Sequence, residues 1–112
     1  MKQALKLAFE HEMSTARRLY REHRPDAAFI HLERAHVLGQ RYVAPHVLTH
    51  WWMLKIGVQR RSLREIAGQA VRMVLGALGS AVGLVPTGNT GGSNVGMFRR
   101  MPVDPALRKW LD

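Results

Sequence analysis

Apolar residues recur along most of this chain at spacings of three and four, the period of a helix with one buried face. Leu5, Ala8, Phe9, Met13, Ala16, Leu19 and Tyr20 form the first stripe and predict a helix over about residues 2–23. Pro25 disfavours helix at Arg24, and Asp26 offers a carboxylate to the amides of a new start. A second helix, about 26–38, carries Ala28, Phe29, Leu32, Ala35 and His36 on one stripe, with Gly39 as a left-handed stop. Pro45 suits the first position of a third helix, about 45–58. Its Val47, Trp51, Leu54 and Val58 form one stripe and Leu48, Trp52 and Ile56 a second, so it should lie between neighbours. Ser62-Leu63-Arg64-Glu65 reads as a capping box opening a fourth helix, about 62–76. There Leu63, Ile66, Ala67, Ala70, Val71, Val74 and Leu75 are expected to face inward, with Arg64, Gln69 and Arg72 outward.

From 76 to 96 the chain is dense in glycine, which costs a helix about 1 kcal/mol per residue relative to alanine. An irregular segment is expected there, followed by a C-terminal piece, 97–112, in which Asp104-Pro105 opens a short helix through Leu107, Trp110 and Leu111. The connections are short, so successive helices should pack antiparallel. The expected fold is all-α: one helical domain over 1–112, a compact four-helix core with the glycine-rich segment wrapped over it.

Composition narrows the chemistry. The 112 residues include no cysteine, which removes thiolate metal sites, iron–sulfur clusters and cysteine nucleophiles. The formal charge is +9, from 17 Lys and Arg against 8 Asp and Glu, and it is spread along the chain rather than blocked. Arg60, Arg61, Arg64 and Arg72 gather near the fourth helix and could present a basic face to an acidic protein or, less readily, to nucleic acid. The glycine-rich connection after that helix does not fit a helix-turn-helix. Lys6 and Glu10 interrupt the N-terminal apolar run, and the longest uncharged apolar stretch, Met73 to Pro86, is short of a span, so a cytoplasmic protein without a membrane partner is expected.

Two resemblances bear on the reading. Residues 12–40 resemble a tetratricopeptide-type hairpin, with small residues at Ala16, Ala28 and Ala35 and large ones at Leu19 and Leu32. Four segments, beginning at His31, Glu65, Pro86 and Met101, resemble the bacterial family called domain of unknown function 3703. These include His31-Leu32-Glu33-Arg34-Ala35-His36, Glu65-Ile66-Ala67-Gly68-Gln69, Pro86-Thr87-Gly88-Asn89-Thr90-Gly91-Gly92 and Met101-Pro102-Val103. What that resemblance implies about function is an association with heavy-metal resistance genes.

The richest chemical set is His31, Glu33 and His36 on the second helix with His46 and His50 on the third. Glu33-Arg34-Ala35-His36 places a carboxylate and an imidazole one turn apart, as on one ligand helix of a di-metal bundle, although a second such pair is missing. His46 and His50 have the two-histidine spacing by which a helix chelates a transition metal, and Met53 follows one turn on. With one carboxylate at hand, copper or zinc suits the set better than iron. The competing account makes His36 a hydrogen-bonded core histidine, with His46 and His50 a solvated edge; His11 and His23 read as surface groups. Asn89, Thr90, Gly91 and Gly92 form a loop that could cradle an anion, yet the P-loop lysine is absent and no strand precedes it. Polar closure of its own backbone is the simpler role. Serine nucleophiles lack an elbow context. The leading reading is therefore a small accessory protein binding copper or zinc. Its rival is a cofactor-free interaction module, with the oligomeric state, a homodimer included, left open. Enzyme activity would require a bound metal or partner to complete a site.

Overall fold

The computed structural model describes residues 1–111. Five helices follow in order: α1 (Gln3–Arg21), α2 (Pro25–Gly39), α3 (Val43–Gln59), α4 (Leu63–Val82) and α5 (Pro105–Leu111). Each of the first three packs on its successor, and α5 closes against α1 and α2. The all-helical fold and its wrapped glycine-rich segment agree with the sequence pattern.

The α1–α2 pair is held as its stripes predict. Leu5, Phe9, Met13, Ala16 and Leu19 meet Ala28, Phe29, Leu32 and Ala35 in one core, joined by Met53, Ile56 and Leu107. Ala16, Ala28 and Ala35 are almost wholly buried, and their small side chains let the two helices approach closely. Glu12, buried within α1, is paired from α2 with Arg34 Nε at 3.0 Å and meets His31 Nδ1 at 2.7 Å.

Turn chemistry departs from expectation. Gly39 is the last residue of α2, and Gln40, its cap, stays right-handed. What Gly39 supplies is space: a Cβ there would lie 2.9 Å from both the Phe9 ring and Pro45 Cβ. The left-handed stops belong instead to His23 after α1 and Arg61 after α3, both at φ 57°. Their neighbours Arg24 and Ser62 donate backbone bonds to Leu19 and Gly57, closing each helix end. Pro45 lies inside α3, which starts at Val43. Asp26 sits in the first turn of α2 and pairs with Arg60 at 2.8 Å instead of capping.

The largest departures concern α3 and α4. The buried side of α3 is His46, Thr49, His50, Met53, Ile56 and Gly57, while Leu48, Trp51 and Val58 lie at the surface. Helix α4 is longer than predicted, running through Gly76 and Gly79 to a left-handed Gly83 at φ 77°. Its orientation is also inverted. Glu65, Gln69 and Ser80 are buried, whereas Leu63, Val71, Val74, Leu75, Leu78 and Val82 are between 41 and 81% exposed. The reason is what α4 faces: histidine rings from α2 and α3 and the backbone of the glycine-rich segment, which require polar partners and close approach. Only half of the capping box forms, Ser62 Oγ accepting from the Glu65 amide at 3.2 Å. The Glu65 carboxylate goes inward, to Gln69 Nε2 at 2.8 Å and to the Ser93 hydroxyl.

The segment after Gly83 is tied down by polar side chains of α4 and of the residue that caps α2. Arg64 donates to the Ser93 carbonyl, Arg72 to that of Val95, and Gln40 to that of Pro86. Asn89 organises the loop from inside, its amide donating to the carbonyls of Gly96 and Arg99 and its oxygen accepting from the Gly91 amide. Gly39→Ala should cost about 1–3 kcal/mol by overpacking against Phe9 and Pro45, despite alanine's better helix propensity. A lower midpoint in urea denaturation, with unchanged circular dichroism, would show it.

Candidate metal centre

His36 enters from α2, and His46 and His50 from consecutive turns of α3. All three side chains are buried. The Nε2 atom of His36 lies 3.0 Å from Nε2 of His46 and 3.1 Å from Nε2 of His50. The ring centroids form a nearly equilateral triangle, 4.7, 4.7 and 4.8 Å on its sides.

The opposite nitrogen of each ring has its own partner. His36 Nδ1 meets the Asn89 carbonyl at 2.7 Å, a group that can only accept. His46 Nδ1 meets Ser80 Oγ at 2.6 Å, and Ser80 donates its own hydrogen to the Gln40 carbonyl at 2.6 Å, so it accepts from histidine. His50 Nδ1 meets Gln69 Oε1 at 2.5 Å. The orientation of that amide follows from its other end, where Nε2 donates to Glu65 Oε1 at 2.8 Å and to the Gly91 carbonyl at 2.9 Å. Each Nδ1 therefore carries the proton. Each Nε2 then presents a lone pair, and the three converge.

Burial keeps the rings neutral. Desolvation lowers His46 and His50 to about 4, offset for His46 by a backbone bond to Gly76 and for His50 by Gln69. His36 is held well below the ordinary histidine range by desolvation first, then by the His50 and His46 rings. The Arg72 guanidinium adds to the same effect at His36 and His50. The His36 lone pair, about 3 Å from those of both other neutral imidazoles, is repelled by them, and a cation held among the three would reverse that interaction. Metal–nitrogen bonds of about 2.0–2.1 Å in tetrahedral geometry put ligand nitrogens about 3.3 Å apart, close to the 3.0 and 3.1 Å of the two pairs that include His36, and the ligating nitrogens of the trio all lie within 4.8 Å of one another.

Two glycines give the rings room. A Cβ on Gly76 would sit 2.9 Å from His46 Cε1, and one on Gly91, itself at φ 87°, would sit 2.5 Å from His36 Cδ2. The trio forms part of the wall of a cavity of about 470 Å³, which is otherwise mostly apolar, with Leu75, Leu78, Val82, Leu84, Met97 and Phe98 among its lining. With three imidazoles on one side and a cavity on the other, an ion held here would keep a coordination position for an outside ligand.

Of the five residues named from sequence, the structure brings His36, His46 and His50 together and places the other two elsewhere. His31 is paired with Glu12. Glu33 is hydrogen-bonded to Thr90, its carboxyl pushed up by burial, in a separate depression with Thr90 and Pro102. Five residues from His36, His31 faces another side of α2, whereas Glu33 is one turn away and its carboxyl is drawn off by Thr90. Met53 lies in the hydrophobic core; the thioether at the cavity is Met97. In the loop, Asn89 holds His36, Thr90 holds Glu33, and the Ser93 amide faces the Glu65 carboxylate, so an internal anion takes the place expected for an external one. Gly92 packs near the Phe29 ring. The basic cluster is dispersed: Arg60 pairs with Asp26 and lies over Phe29, while Arg64 and Arg72 bind loop carbonyls. Arg61 forms the left-handed turn. Sequence reasoning missed the parts played by Gln69, Ser80 and Gly76, and it named Gly91 for an anion loop rather than for its place against His36. A signal was present for the first three: Glu65, Gln69, Arg72, Gly76 and Ser80 make a polar and glycine stripe at helical spacing in an otherwise apolar helix.

The fold and the site together define a small all-helical protein with a buried trihistidine centre. The chain belongs to the family described as protein of unknown function, DUF3703, whose match runs over residues 3–111. Curated proteins and solved structures yield no match. Among the described residues no helix is long and apolar enough to cross a membrane.

The lowered histidines set the acid response. Because the unfolded chain binds protons near 6.5 and the folded rings only near 4, the unfolded state gains protons first as pH falls. In chelator-treated protein, stability should be full above about pH 6.5–7 and fall by several kcal/mol towards pH 4. Urea titrations across that range would show a pH-independent midpoint if the rings were solvated.

Proposed function

We propose that the protein is a small cytoplasmic accessory protein that binds one transition-metal ion, copper or zinc, through Nε2 of His36, His46 and His50. The observation that supports this is the tautomer pattern: every Nδ1–H is matched to an acceptor from another part of the chain, leaving three buried lone pairs aimed at one point. A core that merely tolerated three histidines would pair ring nitrogens with donors as well as acceptors. The acceptors on Nδ1 orient the rings and raise their basicity, the part that second-sphere groups take in histidine metal sites. Imidazole donors suit zinc and copper. The set carries no negative charge, so it matches Cu(I), or a zinc ion that brings its own anion to the fourth position.

Protein purified without chelator should contain close to one equivalent of copper or zinc. Adding metal at a hundred times its Kd should stabilise the apoprotein by about 2.7 kcal/mol, a thermal shift of several degrees. His36→Ala and His50→Ala should abolish that shift. Glu33→Gln and His31→Ala should retain it, and Gln69→Leu should weaken affinity about 10–100-fold through loss of its hydrogen bond to His50. Elemental analysis without stoichiometric metal, together with no thermal shift from Cu(I), Zn, Ni or Co, would overturn the reading.

A further inference from the structure

The outward side of α4 is apolar from end to end. Leu63, Ala67, Ala70, Val71, Val74, Leu75, Leu78, Ala81 and Val82 are all exposed, with Arg64 at the N-terminal end as the charged side chain among them. Over about 30 Å of helix this strip presents apolar area on the order of the 800 Å² that one partner contributes to a standard interface. Monomers rarely leave so large a patch open. We propose that it is covered by α4 of a second copy of this chain, packed antiparallel about a two-fold axis between Arg72 and Met73.

The order of residues carries the choice of occupant. Reversing α4 about that point sets Leu78 against Ala67 of the second copy, Leu75 against Ala70, Leu63 against Val82 and Val71 against Val74. Each leucine thus meets a smaller side chain, and the alanines allow the backbones to approach closely. Arg64 falls opposite Ala81, so two chains of charge +9 meet without setting like charges together. A parallel pairing would instead stack leucine on leucine, alanine on alanine and Arg64 on Arg64, with the helix dipoles aligned. A membrane surface is a poorer occupant, since an interfacial helix borders its apolar face with cations. Here Arg72 is turned inward, bound to the carbonyls of Gly68 and Val95. The pairing does not depend on metal. It would, however, lay the second copy over Leu75, Leu78 and Val82, which also line the trihistidine cavity, and so screen that cavity from water.

Light scattering behind size exclusion should give twice the chain mass of 12.7 kDa for the wild type and a single chain mass for Val74→Glu/Leu78→Glu. These positions are exposed, so circular dichroism should be unchanged in the variant. The chain has no cysteine, so single substitutions report the register directly. Two copies of Val74→Cys sit only ~4–5 Å apart along the axis and should cross-link under mild oxidation, whereas two copies of Leu63→Cys, roughly 28 Å apart, should not. A wild type that is monomeric at every concentration overturns the proposal, whatever else the face then binds. So does a dimer indifferent to the double glutamate variant, or one that Leu63→Cys links efficiently.

Discussion

An imidazole shut away from water keeps a ring N–H that costs about 1–3 kcal/mol if it finds no acceptor, and this protein buries three imidazoles in one place. That demand organises the second half of the molecule. One acceptor is the Asn89 carbonyl in the glycine-rich segment, and two, Gln69 and Ser80, lie on α4. Each acceptor is held in turn: Gln69 by Glu65 and Gly91, Ser80 by the Gln40 carbonyl, and the Asn89 loop by its own side-chain amide. The network links α2, α3, α4 and the wrapped segment. Without the histidines, most of these polar groups would have no reason to be inside.

The molecule consequently has two halves with different cohesion. The α1–α2 side is held by hydrophobic burial, with Glu12, Arg34 and His31 as a local polar addition at its edge. The α4 side is held by directional bonds around the rings, and glycines allow the backbone to come close enough to make them. Because its polar stripe is spent inward, the apolar residues of α4 have nowhere to go but outward. The exposed face and the buried trihistidine centre are thus two consequences of one packing arrangement.

This explains how much of the structure could be read from sequence. The first two helices were legible because Leu5, Phe9, Leu32 and their neighbours obey the ordinary rule that apolar stripes face the core. The histidine positions were legible too, from the i, i+4 pair at His46 and His50 and from His36 on an apolar stripe. The orientation of α4 was not, since the rule that served α1 assigns Leu63, Val71 and Val74 to the interior. What defeats it is a tertiary fact: the surface that α4 meets is polar. Glu33 misled for a related reason. One-turn spacing from His36 makes joint ligation available, but which way the carboxylate turns is settled by Thr90, far along the chain.

The glycines sharpen the same point. Gly76 was expected to end α4 on propensity, and each such residue does weaken a helix by about 1 kcal/mol. Yet α4 runs through it, because at that position a side chain would strike the His46 ring. The cost of glycine in the helix is offset by the contact its absence of a side chain permits, and at Gly91, in the loop beneath His36, the missing side chain permits a similar close approach. A ring held from behind by a backbone and from the side by a hydrogen bond has little freedom to rotate. That restriction is what a ligand set of neutral donors requires, since three imidazoles without a carboxylate cannot gather around a cation by charge and must be pre-positioned by the fold.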